Sequence, residues 1–479
     1  MVSASAAERA DVFPYLIITN DAQLTEAQKL ATWKTKKGYN ATVVTTTYIY
    51  ANYTGVDNAE KIRNCIKDYF TTKGTQFVCL IGTNAVIPVR KVYDSQYQTQ
   101  NNSRLVPTDN YYGCLDGTFN ANNNSYWGEY NGDQVDWTYD VFVGRIQTDS
   151  AAALAEVVDK TLCYEGSKSS SEVNPYNYQN GVILAGAFLD SSTNERYLME
   201  YIRDTFLTSS HWSFTQLWDT TYPGGSVFNA TAFINQMNQG RGIIAHAAHS
   251  NSTVIGTNSG SVSASNLYNL TNHPKFTGFL YSLGCYSGDT DVAANCAANF
   301  VASPNGGGAG YVGNTCYGWY SPGSPASGYS ADFENEYFKA FATSDIYVNG
   351  KTLAQHKHNL QSTVSNWVYR YIYFELMLTG DPDLWVHNKN IYPLTVTHAA
   401  AIYTGNQSYA VHVSDSTDAN VAGALVCVWK GTEVYAAGLT NSSGNVSLNI
   451  NPTSAGTMYL TVSAHNRRTY EADVTVSVN

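Results

Sequence analysis

Charge is scarce in this sequence. Only 14% of the 479 residues are Asp, Glu, Lys or Arg, where roughly 25% is usual. Disordered chains are charge-rich and aromatic-poor, so 13% aromatic and 43% hydrophobic residues point to a folded chain. Positive charge is scarcer still: 27 Lys and Arg stand against 38 Asp and Glu, a net charge of −11. No basic footprint is left for phosphates, which argues against nucleic-acid binding. No apolar run approaches the ~18 residues of a membrane-spanning helix, and the opening MVSASAAERADVF lacks the apolar stretch of a signal peptide. The eight cysteines (65, 79, 114, 163, 285, 296, 316 and 427) form no Cys-x-x-Cys pair, so neither zinc nor a dense disulfide framework is expected. Walker A, HExxH and GxSxG motifs are missing, and with them nucleotide hydrolysis, zinc proteolysis and α/β-hydrolase chemistry. Gly308-Ala-Gly-Tyr-Val-Gly313 matches GxGxxG but enters a strand where the dinucleotide fingerprint must leave one.

What is present is an α/β rhythm. PYLIIT (14–19), ATVVTTTYI (41–49), QFVCLIG (76–82) and DVFVGRIQ (140–147) read as strands, with helices at 24–38, 58–72 and 150–164. That order implies a parallel sheet with right-handed crossovers. A polar insertion, 95–139, interrupts it. Its Asp116, Asp133 and Asp136 are expected either to ligate a structural calcium ion or to lie in an irregular polar loop. A second α/β unit follows, with strands at 181–188, 241–250, 276–285 and 309–316 and helices at 194–208, 227–239, 294–303, 330–342 and 351–378. After Pro393, seven short strand-like runs separated by turn signals predict an immunoglobulin-like all-β sandwich. The expected domains are a tail at 1–12, an α/β subdomain at 13–170, a catalytic α/β subdomain at 171–390 and the sandwich at 391–479.

Two strands of the second unit end in reactive side chains. Gly242-Ile-Ile-Ala-His-Ala-Ala-His249-Ser250 and Thr277-Gly-Phe-Leu-Tyr-Ser-Leu-Gly284-Cys285 are apolar and small up to an imidazole and a thiol. Functional groups of open parallel sheets gather at the carboxyl ends of strands. Adjacent strands would therefore bring a nucleophile and a base to one rim, with small neighbours leaving amides free for an oxyanion. His246 is the rival base. Alternation puts 246 and 249 on opposite faces and only 249 at the strand end, so His246 is expected to pack.

The blocks IIAHAAHS and LYSLGCYSGD, with VPTDNYYG, DVFVGRI, PNGGGAGYVGNTCYGWYSPG and LTGDPDLWV, resemble the gingipain-type cysteine peptidase family of the caspase-like clan. A chain polar through Asn, Ser, Thr and Tyr in place of Lys and Glu suits an exported, secreted protein. The resemblance spans roughly 14–479 and implies a cysteine endopeptidase that acts on proteins or peptides through a thioester acyl-enzyme and needs no cofactor for its chemistry. By it Cys285 is the nucleophile, His249 the general base and acid, and amides near Cys285 and Ser250 form the oxyanion hole, with Ser250 and Gly284 lining the substrate site. Asp190 is the acid expected to orient the imidazole, or else a helix cap. Glu195 corresponds to an acid under a basic P1 side chain, or else is an exposed first-turn Glu. Trp319 resembles a pocket wall, and Asp289 is a further acid beside the nucleophile. Pro322 stands where lysine-specific relatives carry an acid. The other expectation is a catalytically silent binding or adhesive protein on the same scaffold.

Overall fold

The computed structural model describes residues 12–98, 104–221 and 225–479. Apart from Val12, the expected N-terminal tail lies outside the described residues. One ten-stranded sheet runs through both α/β units. Its strands are β1 (Tyr15–Thr19), β2 (Ala41–Thr45), β3 (Phe77–Ile81), β4 (Phe142–Ile146), β5 (Gly181–Gly186), β6 (Ser213–Leu217), β7 (Ile243–Ala247), β8 (Phe279–Ser282), β9 (Gly310–Asn314) and β10 (Leu376–Gly380). In space they run β6-β5-β7-β8-β9-β10-β4-β3-β1-β2. All neighbours are parallel except β9 and β10.

Strand β10 was hidden in the stretch 351–378 that the sequence pattern assigns to one helix. The structure divides that stretch into helices Asn349–Asn359 and Trp367–Glu375, and Leu376 then turns extended. β10 is the strand that welds the two halves, pairing with β9 on one side and β4 on the other. The run 41–49 is likewise shorter as a strand than expected. Thr45 ends it by accepting the Tyr48 amide as the cap of helix Thr46–Asn52.

Buried on both sides, the strands sort their side chains by parity. Ile243, Ala245 and Ala247 of β7 and Phe279 and Tyr281 of β8 face one core, which helices α4 (Arg196–Thr205) and α7 (Ser330–Phe338) cover. Ile244 and Leu280 face the other, packed with α1 (Leu24–Lys37) and α3 (Ala151–Tyr164). Helix α1 ends where Gly38 adopts φ +112, a left-handed turn suited to glycine.

Beyond Pro393 the chain forms a three-stranded and a five-stranded sheet around a core of its own. A short strand, Ala401–Tyr403, joins the seven expected and pairs parallel with the last one. These sheets dock on α1. The Tyr435 hydroxyl accepts from Asn40 N and donates to Gly38 O, at 3.0 and 2.8 Å. Among the described residues, no helix is long and apolar enough to cross a membrane.

Four histidines are enclosed. Burial pushes His246 and His465 down to about 4 and His356 and His387 down to about 3. Unfolding returns each to about 6.5, so the unfolded chain binds more protons between pH 6.5 and 4 and stability falls as pH falls through that window. Buried carboxyls held above their ordinary range, Glu195 among them, act in the opposite sense over the same window, so the histidine contribution is read by difference. A His356→Leu variant is expected to lose less thermal stability than the parent between pH 7 and 4, measured by its unfolding midpoint.

Candidate active site

Register builds the site. β7 and β8 pair in parallel with His246 opposite Ser282. Three residues beyond that pair, just past the two strand ends, come His249 and Cys285. The residues leading to them, 243, 245 and 247 and 279, 281 and 283, pack on the face of α4 and α7. The backbones approach so closely that a Cβ on Gly284 would collide with Ser250 Oγ, so glycine is required where the two strand ends meet.

His246 sits one face away and is fully buried. Its Nε2 donates to Gly256 O and its Nδ1 accepts from Ser282 Oγ, each at 2.9 Å, while Ser282 Oγ accepts the Gly284 amide at 3.2 Å. These bonds tie the hairpin after β7 to the turn that presents Cys285, and His246 packs as alternation predicts.

Cys285 is the one cysteine of the eight that is not buried. Its Sγ lies 3.6 Å from Gly318 O. Desolvation, helped by the nearby charge of Glu375, pushes the thiol up to about 11. At neutral pH it therefore holds its proton until a base removes it. The next residue, Tyr286, is held at φ +57, a left-handed conformation that costs a non-glycine residue about 1 kcal/mol or more and concentrates at functional sites.

His249 is exposed, and its Nε2 donates to the Leu189 carbonyl at 2.8 Å. A carbonyl only accepts, so Nε2 carries the ring proton and Nδ1 is left as the basic nitrogen. The group that holds the imidazole is thus a backbone oxygen. Asp190, the expected orienting acid, is spent elsewhere: its carboxylate accepts from Ser192 N and Oγ at 2.7 and 2.8 Å and bonds to Thr193 and Tyr320, which hold it below the usual carboxylate range. Tyr320, unanticipated from sequence, also stands edge-on to the His249 ring at 6.4 Å and within electrostatic reach of Cys285 and Glu195.

Glu195 is 1% exposed rather than a surface residue, and its Oε2 has no hydrogen-bond partner. Burial, then the charge of Asp190, raises its carboxyl to about 8. Gly186, at the end of β5, allows this approach, because a Cβ there would come within 2.6 Å of the Glu195 backbone. Trp319 is half-buried and packs edge-on against Trp367, its amide donating to Ser330 Oγ. Gly323 N donates to Thr193 Oγ1 at 2.8 Å, closing the 318–323 loop over the Glu195 segment.

Asp289 does not line this cleft. It is buried in an ion pair with Arg104 at 2.5 Å and accepts from Ser252 Oγ at 2.9 Å, which makes it a brace for the loop. In the polar insertion, Asp116 and Asp136 converge with Asp140, with one oxygen of each within 4.8 Å of the others. Asp133 instead accepts the amides of Ala121 and Glu129.

The sequence that carries this site also matches a known family. Residues 9–387 match Peptidase family C25. The chain belongs to that family and is a cysteine peptidase. Among curated proteins, none matches the sequence. Its fold is that of the Arg-specific cysteine proteinase gingipain R (RgpB), at 16% identity and TM-score 0.76 over 99% of this chain and 100% of that one. A second structure, described as a protease, gives 17% identity and TM-score 0.75 over 97% of both chains. The complex of Porphyromonas gingivalis RgpB pro- and mature domains gives 18% identity and TM-score 0.73 over 97% of this chain and 100% of that one.

With its proton held so tightly, the thiol of this peptidase should react through His249. Alkylation of Cys285 by iodoacetamide at pH 7 is expected to slow in a His249→Ala variant. Its rate should then rise about tenfold per pH unit towards pH 11, following the thiolate fraction. A pH profile unchanged by the substitution would show that His249 is not the base.

Proposed function

We propose that this peptidase is a secreted endopeptidase that cleaves proteins after basic residues through a Cys285–His249 dyad. The observation that supports the reading is the β7–β8 register, which brings the chain ends that carry His249 and Cys285 to one rim of the sheet, with His249 Nε2–H held by Leu189 O. His249 Nδ1 takes the thiol proton and the thiolate attacks the scissile carbonyl. The amides of Cys285 and Ser250 hold the oxyanion. The imidazolium then protonates the leaving amine, and His249 activates the water that resolves the thioester. Glu195 is the partner of the P1 side chain, since a buried carboxylate with an oxygen left unpartnered is costly until a cation meets it. That gingipain R is Arg-specific supports the same choice. A chain polar through Asn, Ser and Thr rather than charge supports export.

Peptide-library cleavage mapped by mass spectrometry is expected to place Arg or Lys at P1, with Glu195→Gln erasing the preference. Cys285→Ala should abolish turnover, and His249→Ala should lower kcat by about 10²–10⁴-fold. Absence of any basic preference in the parent enzyme would sink the specificity reading.

Asp116, Asp136 and Asp140 are the residues proposed to hold a structural calcium ion. Partial burial and the charges of Asp140 and Asp116 raise the Asp136 carboxyl, the mark of clustered negative charge that a divalent cation would relieve. Calcium at about 100 times its dissociation constant is expected to stabilise the fold by about 2.7 kcal/mol. A chelator should reverse the rise in unfolding temperature, and Asp140→Asn should remove it.

A further inference from the structure

Helix α7 packs against α4, whose N-cap is Glu195, and carries a second buried carboxylate. Glu334, on α7, is 0% exposed, and neither of its oxygens has a hydrogen-bond partner. Among the described residues, no Lys, Arg or His pairs with Glu195 or Glu334. Burial raises the Glu334 carboxyl well above its ordinary value, and the charge of Glu195 raises it further. Both belong to the face of the sheet that carries Cys285. Tyr281 of β8, four residues before the nucleophile, lies within electrostatic reach of Glu334. The start of α7 is fastened to the cleft loop, since Ser330 N donates to Trp319 O and Ser330 Oγ accepts from Trp319 N, each at 3.0 Å. Gly318 of that same loop faces the Cys285 sulfur.

Two enclosed carboxylates with open lone pairs destabilise the empty protein, and nothing around them repays that cost. A cation that enters between them would. Guanidinium presents five N–H donors in a planar fork and can serve two carboxylates at once, whereas an ammonium is a compact point charge with three. We propose that Glu334 is a second specificity determinant, forming with Glu195 a two-carboxylate floor that takes the guanidinium of a P1 arginine. This rests on the reading of Glu195 as the P1 partner.

The test compares the parent enzyme, Glu195→Gln and Glu334→Gln on matched peptides with Arg, Lys or the neutral isostere citrulline at P1, alongside thermal unfolding of each. Glu334→Gln is expected to lower kcat/KM for arginine by about ten- to hundredfold, to lower it less for lysine, and to leave citrulline unchanged. It should unfold at the same temperature as the parent or higher, because it removes an unpaired buried acid. If Glu195→Gln erases the preference for arginine while Glu334→Gln keeps the parent ratios, the inference fails and the Glu195 reading stands. If the parent itself ignores P1 charge, the Glu195 reading fails and takes the inference with it. A Glu334→Gln chain that unfolds earlier, or does not fold, also overturns the proposal, because it assigns Glu334 a structural partner.

Discussion

The pairing of His246 with Ser282 is the constraint on which the active site depends. Side chains alternate along a strand, so a slip of one residue between β7 and β8 would send Cys285 or His249 to the opposite face. The structure guards this phase twice. Apolar residues of both strands are buried in both cores, which penalises a slip along the whole strand. The polar chain from Gly284 N through Ser282 and His246 to Gly256 O then fixes the register at the rim. Keeping His246 neutral is part of that device, since one ring nitrogen must accept while the other donates.

A second constraint holds the scaffold. Lys34 and Lys37 of α1 meet Glu165, Asp381 and Asp383 in a buried cluster, with Lys34 Nζ 2.5 Å from Asp381 and Lys37 Nζ 2.5 Å from Glu165. Tyr15 of β1 and the Trp33 indole donate into it, at 2.6 Å each. The cluster joins the edge half of the sheet, the loop after β10 and the helix on which the C-terminal sheets dock. Replacing such a group by an apolar one can be neutral, but removing one partner strands a charge at a cost of about 3–5 kcal/mol. The network therefore specifies how these parts meet more than it stabilises them.

The proposed nucleophile and base stood out in the sequence because each is a polar interruption at the end of an apolar strand, a pattern that local sequence carries in full. Burial patterns also revealed most helices, with Asp57 and Ser150 capping two of them. What escaped belongs to three physical classes. The oxygen that holds His249 is a main-chain carbonyl, which no side-chain code records; Asp190, next to Leu189, drew attention in its place. Strand β10 is short, antiparallel to its neighbour and fused to a helix, so neither periodicity dominates its window. The partners of a folded cluster, Asp140 with Asp116 and Asp136, or Tyr320 over His249, depend on where loops close. Glu334 did leave a trace. It stands among Phe333, Tyr337 and Phe338, an acid within the apolar stripe of its helix.

Eight cysteine sulfurs and no cross-link mean that this fold owes its integrity to packing and ion clusters, independent of the oxidation state around it. Seven of those sulfurs are shut inside the cores, where oxidants cannot easily reach them. The eighth, Cys285, is only partly buried. With Cys285 as the proposed nucleophile, oxidative damage to this molecule would silence the enzyme before it unfolded the protein, and loss of turnover would serve as the earliest gauge of redox stress on it.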